Sequence, residues 1–136
     1  MDQCIFCKIA NHEIPSNFLY EDDICVAFLD LSQTTYGHTL VVPKAHVKNI
    51  LESDDLLTAH LFKVTNQLAK QICTALNADG CNILSNANEV AGQTVMHFHI
   101  HIIPRYKNND AFNITFPNHE GQYDLDELVT KIKHPL

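Results

Sequence analysis

Short hydrophobic runs bounded by turn residues recur along the first hundred positions, which is the pattern of short β-strands, and the last of them, residues 95–103, alternates hydrophobic residues with histidines. The pattern predicts strands over residues 18–20, 24–29, 39–42, 81–84 and 95–103. Pro43 and Pro104 are expected to end the third and fifth of these strands, because proline lacks a ladder donor. A short helical turn over residues 4–10 is predicted ahead of them.

Apolar side chains recur three and four residues apart between residues 54 and 77, which predicts one long amphipathic helix with Ser53 as its N-cap. A shorter helix is predicted over residues 124–133, with one stripe facing inward: Leu125, Leu128, Val129 and Ile132. Sequential short strands with only one long helix favour an α+β fold around a mainly antiparallel sheet. No repeat or linker is visible, so residues 1–136 are interpreted as one domain.

Composition and charge narrow the possible partners. The 136 residues are 46% hydrophobic and 18% charged, and the formal net charge is -7 with Arg105 as the only arginine. A general nucleic-acid binder would need basic patches, so that class is not expected. A mononucleotide remains compatible, because a cleft can bind phosphate with amides, hydroxyls, imidazoles and backbone N–H groups.

The chain carries neither a signal-peptide pattern nor an apolar run long enough to cross a bilayer, so we expect no membrane partner. Its five cysteines are an odd number, which points to the reducing cytoplasm. Cys25, Cys73 and Cys81 lie among apolar neighbours and are predicted to be core residues.

Three histidines alternate with hydrophobic residues at positions 97, 99 and 101. On a strand, alternate side chains share a face and lie roughly 6–7 Å apart. A solvated polar face is one interpretation, although three such histidines make it the weaker one. A metal site formed by all three is strained, because the outer pair lies roughly 13 Å apart at the backbone. A nucleophilic histidine flanked by two supporting ones fits this spacing better.

This segment resembles the signature of the histidine-triad superfamily, and the similarity extends upstream to about residue 4. The matching blocks occur in the expected order: residues 4–9, 14–15, 20–23, 27–30, 37–44 and 93–103. The resemblance implies an antiparallel sheet of about five strands, a homodimer in which the sheet continues across the subunits, and one nucleotide cleft per subunit. It further implies that His99 attacks an α-phosphorus and forms a covalent nucleotidyl-histidine, which water then hydrolyses.

The resemblance also implies roles for other residues around the triad. His101, Asn86, Gln93 and Thr94 match positions that surround the phosphate, and His38 matches a histidine that orients the triad. Asp30 matches a carboxylate that accepts hydrogen bonds from ribose hydroxyls. A hydrophobic slot for the base is implied at Ile5, Phe6, Ile9, Phe28 and Leu31, although Ile9 and Leu31 could equally be core residues.

Cys4 and Cys7 form a C-x-x-C pair, which by itself is a weak signal. A redox motif is not favoured, because no strand precedes the pair. Some bacterial members of the superfamily hold a structural zinc with such a pair and two histidines, which would be His46 and His97 here. Free thiols are the alternative. If zinc is bound, His97 orients its neighbours and does not transfer protons.

The sequence therefore predicts a nucleotide hydrolase. The leading hypothesis is cleavage of purine nucleoside 5′-phosphoramidates, meaning P–N bonds on AMP or GMP. Hydrolysis of dinucleoside polyphosphates and nucleotide binding with vestigial catalysis are the alternatives. Arg105 could reach a distal phosphate or form a surface salt bridge.

Overall fold

The computed structural model describes residues 3–135 and contains, within that range, one open sheet of five antiparallel strands. The spatial order is β1-β2-β3-β5-β4, so the predicted α+β class is confirmed. The elements are α1 (Ile5–Ala10), β1 (Phe18–Glu21), β2 (Cys25–Leu29), β3 (Thr39–Pro43), α2 (Asp55–Leu76), β4 (Gly80–Leu84), β5 (Ile100–Arg105) and α3 (Leu125–Lys133).

The two faces of the sheet pack against different helices, which follows from the alternation along β2, β3 and β5. The long helix α2 covers one face, and its stripe packs against Ala27, Val41 and Ile100. The short helix α1 covers the other face, where it packs against Phe28 and Leu40. The sheet is therefore a two-sided layer whose α1 side is only partly covered.

The predicted long helix is confirmed with one change at its start. Asp54, not Ser53, is the N-cap, and its Oδ1 accepts from the Leu57 N–H at 2.8 Å. The Ser53 hydroxyl instead accepts from Thr58 Oγ1 at 2.8 Å. A carboxylate is a strong acceptor at the positive end of a helix, so it displaces the neighbouring hydroxyl from this position.

The fifth strand differs from its prediction over residues 95–103, because β5 runs from Ile100 to Arg105. Residues 95–99 leave the sheet, since the Phe98 N–H donates to the Val47 carbonyl at 2.6 Å rather than to a neighbouring strand. Pro104 does not end the strand. Pairing of β5 with β3 stops at Ile102, so a missing donor at Pro104 breaks no bond on that side.

Two predictions of burial are wrong. None of the residues of α3 is buried, and Leu125 is 70% exposed. Of the three cysteines predicted in the core, only Cys25 is buried, whereas Cys73 is half-buried and Cys81 is exposed because β4 is an edge strand. Within residues 3–135 we find no helix with the length and apolar character needed to cross a bilayer.

Two leucines on α2 give a matched test of the core. Leu61 is fully buried and Leu56 is 86% exposed. We expect Leu61→Ala to lower the free energy of unfolding by about 2–5 kcal/mol, through lost burial and a residual cavity. Leu56→Ala should change it by less than about 0.5 kcal/mol. Urea denaturation of both variants measures this, and equal effects would contradict the packing described.

Candidate functional site

The triad histidines lie on the α1 side of the sheet, where the start of β5 lies beside helix α1. The ring of Phe6 in α1 packs edge-on against His99, with centroids 5.0 Å apart, and against His97 at 6.1 Å. The rings of His99 and His101 are 5.0 Å apart. His97 and His99 precede β5 and only His101 lies on it, so the predicted single strand carrying all three is wrong. The three imidazoles nevertheless stay on one side of the sheet.

The hydrogen bonds of His99 leave one ring nitrogen unprotonated. Its Nδ1 lies 2.7 Å from the carbonyl oxygen of His97, and a carbonyl can only accept, so Nδ1 carries the proton. Nε2 therefore holds a lone pair. His99 as a whole is only 7% exposed. Within residues 3–135, however, every side-chain nitrogen or oxygen that is fully buried has a hydrogen-bond partner. Nε2 has no partner there and is therefore open to solvent.

A chain of hydrogen bonds places the proton of His101 on Nε2, whereas the proton of His99 is on Nδ1. The backbone N–H of Thr34 donates to Nδ1 of His38 at 3.2 Å, so the proton of His38 is on Nε2. That Nε2 lies 2.9 Å from Nδ1 of His101, which must then accept. His101 therefore carries its proton on Nε2, and the centroid of its ring is 5.0 Å from that of His99. A ring with an unprotonated nitrogen and a ring with an N–H donor are neighbours.

Burial keeps these imidazoles neutral. It lowers the pKa of His99 and the pKa of His38 below the usual range of histidine. Burial, followed by the neighbouring His99 and His38, lowers the pKa of His101 to about 4. At neutral pH the rings are therefore uncharged, which is the state in which imidazole is a nucleophile.

Asp30 lies beside the histidine chain, with its Oδ2 3.8 Å from Nε2 of His38. Its other oxygen, Oδ1, accepts from the backbone N–H and the hydroxyl of Ser32, at 2.8 and 2.7 Å. Burial raises the pKa of the Asp30 carboxyl, but the Ser32 hydrogen bonds outweigh it, so the pKa is lowered. Asp30 is therefore a carboxylate with one oxygen still available.

Gln93 has a different environment from the one that the resemblance implies. Its Nε2 donates to the carbonyls of Lys48 and Val95, at 2.6 and 2.9 Å. Its Oε1 accepts from the Asn88 N–H and from Asn49 Nδ2. Both amide hydrogens are used by the protein, so Gln93 anchors the loop before the triad and has none left for a phosphate.

Thr94 and Asn86 remain near the surface of the same loop. The Thr94 side chain is exposed and Asn86 is half-buried, with its Nδ2 3.4 Å from the Gly92 carbonyl. Gly92 has a φ of 100°, and a Cβ there would lie 3.4 Å from the Asn86 amide. Glycine therefore allows the loop to turn tightly beside the Asn86 side chain.

The residues assigned to a base slot divide into two groups. Phe6, Ile9 and Phe28 are buried in the cluster between α1 and the sheet, so they are core residues. Ile5 and Leu31 are 47% and 93% exposed. Only these last two present apolar surface that a base could cover.

The second cluster consists of Cys4, Cys7, His46 and His97, which the fold brings together from three separate segments. Their ligand atoms all lie within 4.8 Å of one another. Nδ1 of His97 is 3.2 Å from Cys4 Sγ, 3.4 Å from Cys7 Sγ and 3.2 Å from Nδ1 of His46. Zinc–ligand bonds of 2.0–2.3 Å in a tetrahedron require ligand separations of about 3.3–3.8 Å, which is close to these distances.

The protonation of His97 also fits a metal ligand. Its Nε2 lies 2.8 Å from the Pro43 carbonyl, so Nε2 carries the proton and Nδ1 presents a lone pair to the two sulfurs. Burial, followed by the adjacent Cys4, raises the pKa of the Cys7 thiol to about 11. Two thiols this close need a bound cation to ionise together. The donor set therefore fits a structural zinc ion.

Arg105 is bound within the protein. Its Nε donates to Asp110 Oδ2 and its Nη1 to Asn82 Oδ1, both at 2.7 Å, while Nη2 bonds the Phe112 carbonyl. The salt-bridge interpretation of this residue is therefore correct.

Three residues with clear structural roles at this site were not predicted. Thr34 donates the N–H that orients His38, and the Ser85 hydroxyl donates to the His99 carbonyl at 2.6 Å. Asn49 is 2% exposed and joins Asn88 to Gln93. They act through backbone groups or lie in irregular segments, where side-chain periodicity carries no signal.

The chain is similar to known proteins over most of its length. The HIT domain family matches residues 11–108. "Protein hit" of Bacillus subtilis (strain 168) is 44% identical over 127 residues, covering 93% of this chain and 88% of that protein. Adenosine 5′-monophosphoramidase HNT1 of Saccharomyces cerevisiae is 36% identical over 135 residues, covering 96% and 83%.

Solved structures show the same fold. A crystal structure of a HIT family member from Bacillus subtilis has a TM-score of 0.93 at 42% identity and covers 98% of this chain and 97% of its own. A zinc-bound histidine triad protein from Mycobacterium smegmatis has a TM-score of 0.78 at 33% identity, covering 88% and 86%. Family match, relatives and fold agree with the histidine arrangement, and the chain belongs to the HIT family.

Proposed function

We propose that this HIT protein is a nucleotide-binding hydrolase that cleaves purine nucleoside 5′-phosphoramidates at the α-phosphate through a covalent nucleotidyl-His99. The observation that carries the proposal is the pair of imidazoles beside each other. His99 presents an unprotonated Nε2, and His101 carries its proton on Nε2 as a hydrogen-bond donor, with the two ring centroids 5.0 Å apart.

In the first step, Nε2 of His99 attacks the α-phosphorus. A bond forms between that nitrogen and phosphorus, the P–N bond to the amine breaks, and the amine leaves after taking one proton from solvent. Negative charge grows on the phosphate oxygens, where the His101 N–H, the exposed Thr94 side chain and the half-buried Asn86 side chain can donate. As the His99 ring becomes positive, the His97 carbonyl stabilises its Nδ1–H.

In the second step, water attacks the same phosphorus. The bond between phosphorus and His99 breaks, the nucleoside monophosphate leaves, and the imidazole returns to its neutral form. The attacking water releases one proton to solvent, which balances the proton taken up by the amine. Two displacements at an activated phosphorus replace one difficult hydrolysis. The His38–His101 chain holds the donor in place through both steps without changing its own charge.

The nucleoside would extend from the triad toward Asp30. Oδ2 of this carboxylate remains open to accept from ribose hydroxyls, since Ser32 occupies Oδ1. Ile5 and Leu31 present the exposed apolar surface on which a purine base could stack. Phe6, Ile9 and Phe28 support that surface from beneath.

Arg105 bears on the choice between substrates. A dinucleoside polyphosphate has a highly charged leaving group, and the single guanidinium of the chain is bound by Asp110, Asn82 and Phe112 instead. The yeast relative carries the name of an adenosine 5′-monophosphoramidase. Both observations favour an amine leaving group. Polyphosphate hydrolysis and vestigial catalysis are the alternatives that a substrate panel would distinguish.

We further propose that Cys4, Cys7, His46 and His97 hold a structural zinc ion, as in the zinc-containing bacterial members. Zinc supplies a cross-link between the N-terminal segment and the triad, and no catalytic step passes through it. The protein is also proposed to be a single-domain cytoplasmic homodimer whose sheet continues across the subunits, with neither nucleic acid nor membrane as a partner.

Replacing His99 tests the mechanism. We expect His99→Ala to lower kcat/KM for an AMP–amine conjugate by at least about 10³-fold, because the covalent route is lost. AMP binding by calorimetry should persist, since the other contacts remain. His12→Ala, at an exposed histidine that pairs with Glu21, should stay within about twofold of wild type. Full activity of the His99 variant would remove this residue from the mechanism.

Elemental analysis tests the metal. Protein purified from zinc-replete medium should contain about one zinc per chain, the load of a Cys₂His₂ site. Cys7→Ser should lose the metal and unfold at lower urea concentration, because a ligand and the cross-link are removed. Cys81→Ser, at an exposed cysteine, should keep both. Metal-free wild type with unchanged stability would argue against the site.

The pH dependence tests the neutral imidazoles. His101 has a pKa of about 4, whereas an unfolded histidine titrates near about 6.5. Below pH 6.5 the unfolded chain therefore binds more protons, so the free energy of unfolding should fall as pH drops from 6.5 to 4. Nitrogen NMR of ¹⁵N-histidine-labelled protein should show His101 as the Nε2–H form at pH 6. A protonated ring at that pH would contradict the arrangement.

A further inference from the structure

The loop between β2 and β3, residues 30–38, has a residue of the proposed site at each end. Asp30 begins the loop and His38 ends it, and the backbone N–H of Asp30 donates to the His38 carbonyl at 3.0 Å. Asp30 is the carboxylate proposed to bind the ribose, and His38 fixes the tautomer of His101. The conformation of this loop therefore bears both on nucleoside binding and on the proton of the neighbouring donor.

Gln33 lies in the middle of the loop and joins its two ends. Its Nε2 donates to the Asp30 carbonyl at 2.6 Å and to the His38 carbonyl at 2.8 Å. Its Oε1 accepts from the backbone N–H of Gly37 at 2.8 Å. A carboxamide carries two N–H donors and an acceptor oxygen, so it matches all three contacts, whereas a carboxylate, an ammonium or a thioether does not.

The backbone of Gln33 adopts an unusual conformation. Its φ is 44°, in the left-handed region that residues with a side chain rarely occupy. Such a conformation persists where its surroundings hold it, and here the side chain supplies three of the contacts. The peptide bond that follows Gln33 carries the N–H of Thr34, which donates to Nδ1 of His38 at 3.2 Å. The turn at Gln33 therefore directs the group that orients the His38 ring.

Hydrogen bonds hold this part of the loop more than packing does. Leu31, Ser32 and Thr34 are exposed. A cavity of about 300 Å³ lies between the loop and the C-terminal half of α2, and Gln33 and Gly37 line it on the loop side. A segment that borders a cavity has fewer van der Waals contacts on that side. The position of residues 30–34 therefore depends strongly on the hydrogen bonds that Gln33 makes.

We propose that Gln33 is a positioning residue of the hydrolase, because its side chain holds the Asp30 and His38 ends of the loop together and so couples ribose recognition to the tautomer of His101. The proposal rests on the proposed function, which assigns those residues their roles. Gln33 acts through Asp30 and His38 and not by touching the reacting atoms. Its loss should disturb both functions at once, whereas loss of the Asp30 carboxylate should disturb ribose binding alone.

Two substitutions of Gln33 test this coupling. Gln33→Gly suits the left-handed backbone and removes all three side-chain contacts. Gln33→Glu keeps the length and the acceptor for the Gly37 N–H but places an oxygen against two carbonyl oxygens. Gln71→Glu is the matched control, because Gln71 is exposed on α2 and lines the same cavity from the opposite side.

Ribose discrimination is the first readout. In titration calorimetry, both Gln33 variants should lower the preference for AMP over 2′,3′-dideoxy-AMP at least about tenfold, which is the value of one hydrogen bond to a charged group. The ratio of kcat/KM values for the matching AMP–amine conjugates should fall as well. The Gln71 control should keep the wild-type preference within about twofold. A substitution that only destabilised the protein would lower the urea midpoint and leave this preference unchanged.

The tautomers of the histidine chain are the second readout, which needs no substrate. Nitrogen NMR of ¹⁵N-histidine-labelled wild type and of the Gln71 control should show His38 and His101 as single Nε2–H forms at neutral pH. Both Gln33 variants should show averaged nitrogen shifts for His101, because the Thr34 N–H no longer fixes the His38 ring. Asp30→Asn, which removes only the proposed ribose acceptor, should keep the wild-type shifts.

The two readouts together decide the proposal. Wild-type ribose preference and wild-type nitrogen shifts in both Gln33 variants would overturn it, and a change in only one readout would overturn the coupling. Failure of the hydrolase gives a different result. A wild type that binds AMP but cleaves no phosphoramidate contradicts the proposed activity, while calorimetry and NMR still test Gln33. An active enzyme whose Gln33 variants keep both readouts contradicts the role of Gln33 alone.

Discussion

Hydrogen bonds from backbone groups to imidazole rings are the constraint on which the site depends. The His97 carbonyl holds the proton of His99 on Nδ1, and the Pro43 carbonyl holds the proton of His97 on Nε2. The Thr34 N–H fixes the tautomer of His38, and His38 in turn fixes the tautomer of His101. Neutral imidazole has two tautomers of similar energy, so a single well-placed partner decides which nitrogen is free. The backbone thus assigns the chemistry of chemically identical side chains.

This constraint lets one short segment serve two sites. His97 turns its lone pair toward two cysteines, while His99, two residues later, turns its lone pair toward solvent. The segment can do so because it leaves the sheet before β5 begins, so its side chains need not follow strand geometry. Phe6 contacts both rings and helps to hold their relative orientation.

The contacts of the single arginine shape the kind of phosphate binding available. Arg105 is already bound by Asp110, Asn82 and Phe112, and the chain carries a net charge of -7. In the proposed mechanism, neutral donors such as the His101 N–H stabilise the developing charge, which buried positions do more effectively than exposed ones. Burial would act twice in that mechanism, by keeping His99 neutral and by strengthening its neighbours' hydrogen bonds.

Local pattern was enough to locate most elements of the fold. Alternation and the three-to-four-residue stripe placed four strands and α2 within a residue or two, because each pattern reports the face that an element buries. The triad and the C-x-x-C pair were also visible as motifs. What the pattern did not contain was the path of residues 95–99, the N-cap choice at Asp54 and the burial of Gln93. The path of residues 95–99 and the burial of Gln93 depend on hydrogen-bond partners distant in sequence, Val47 and Lys48. The N-cap depends on which of two adjacent side chains reaches the Leu57 N–H. Periodicity along one segment carries no information about such partners. The exposed stripe of α3 shows the same limit, because periodicity predicts an apolar face but does not identify the surface that would bury it.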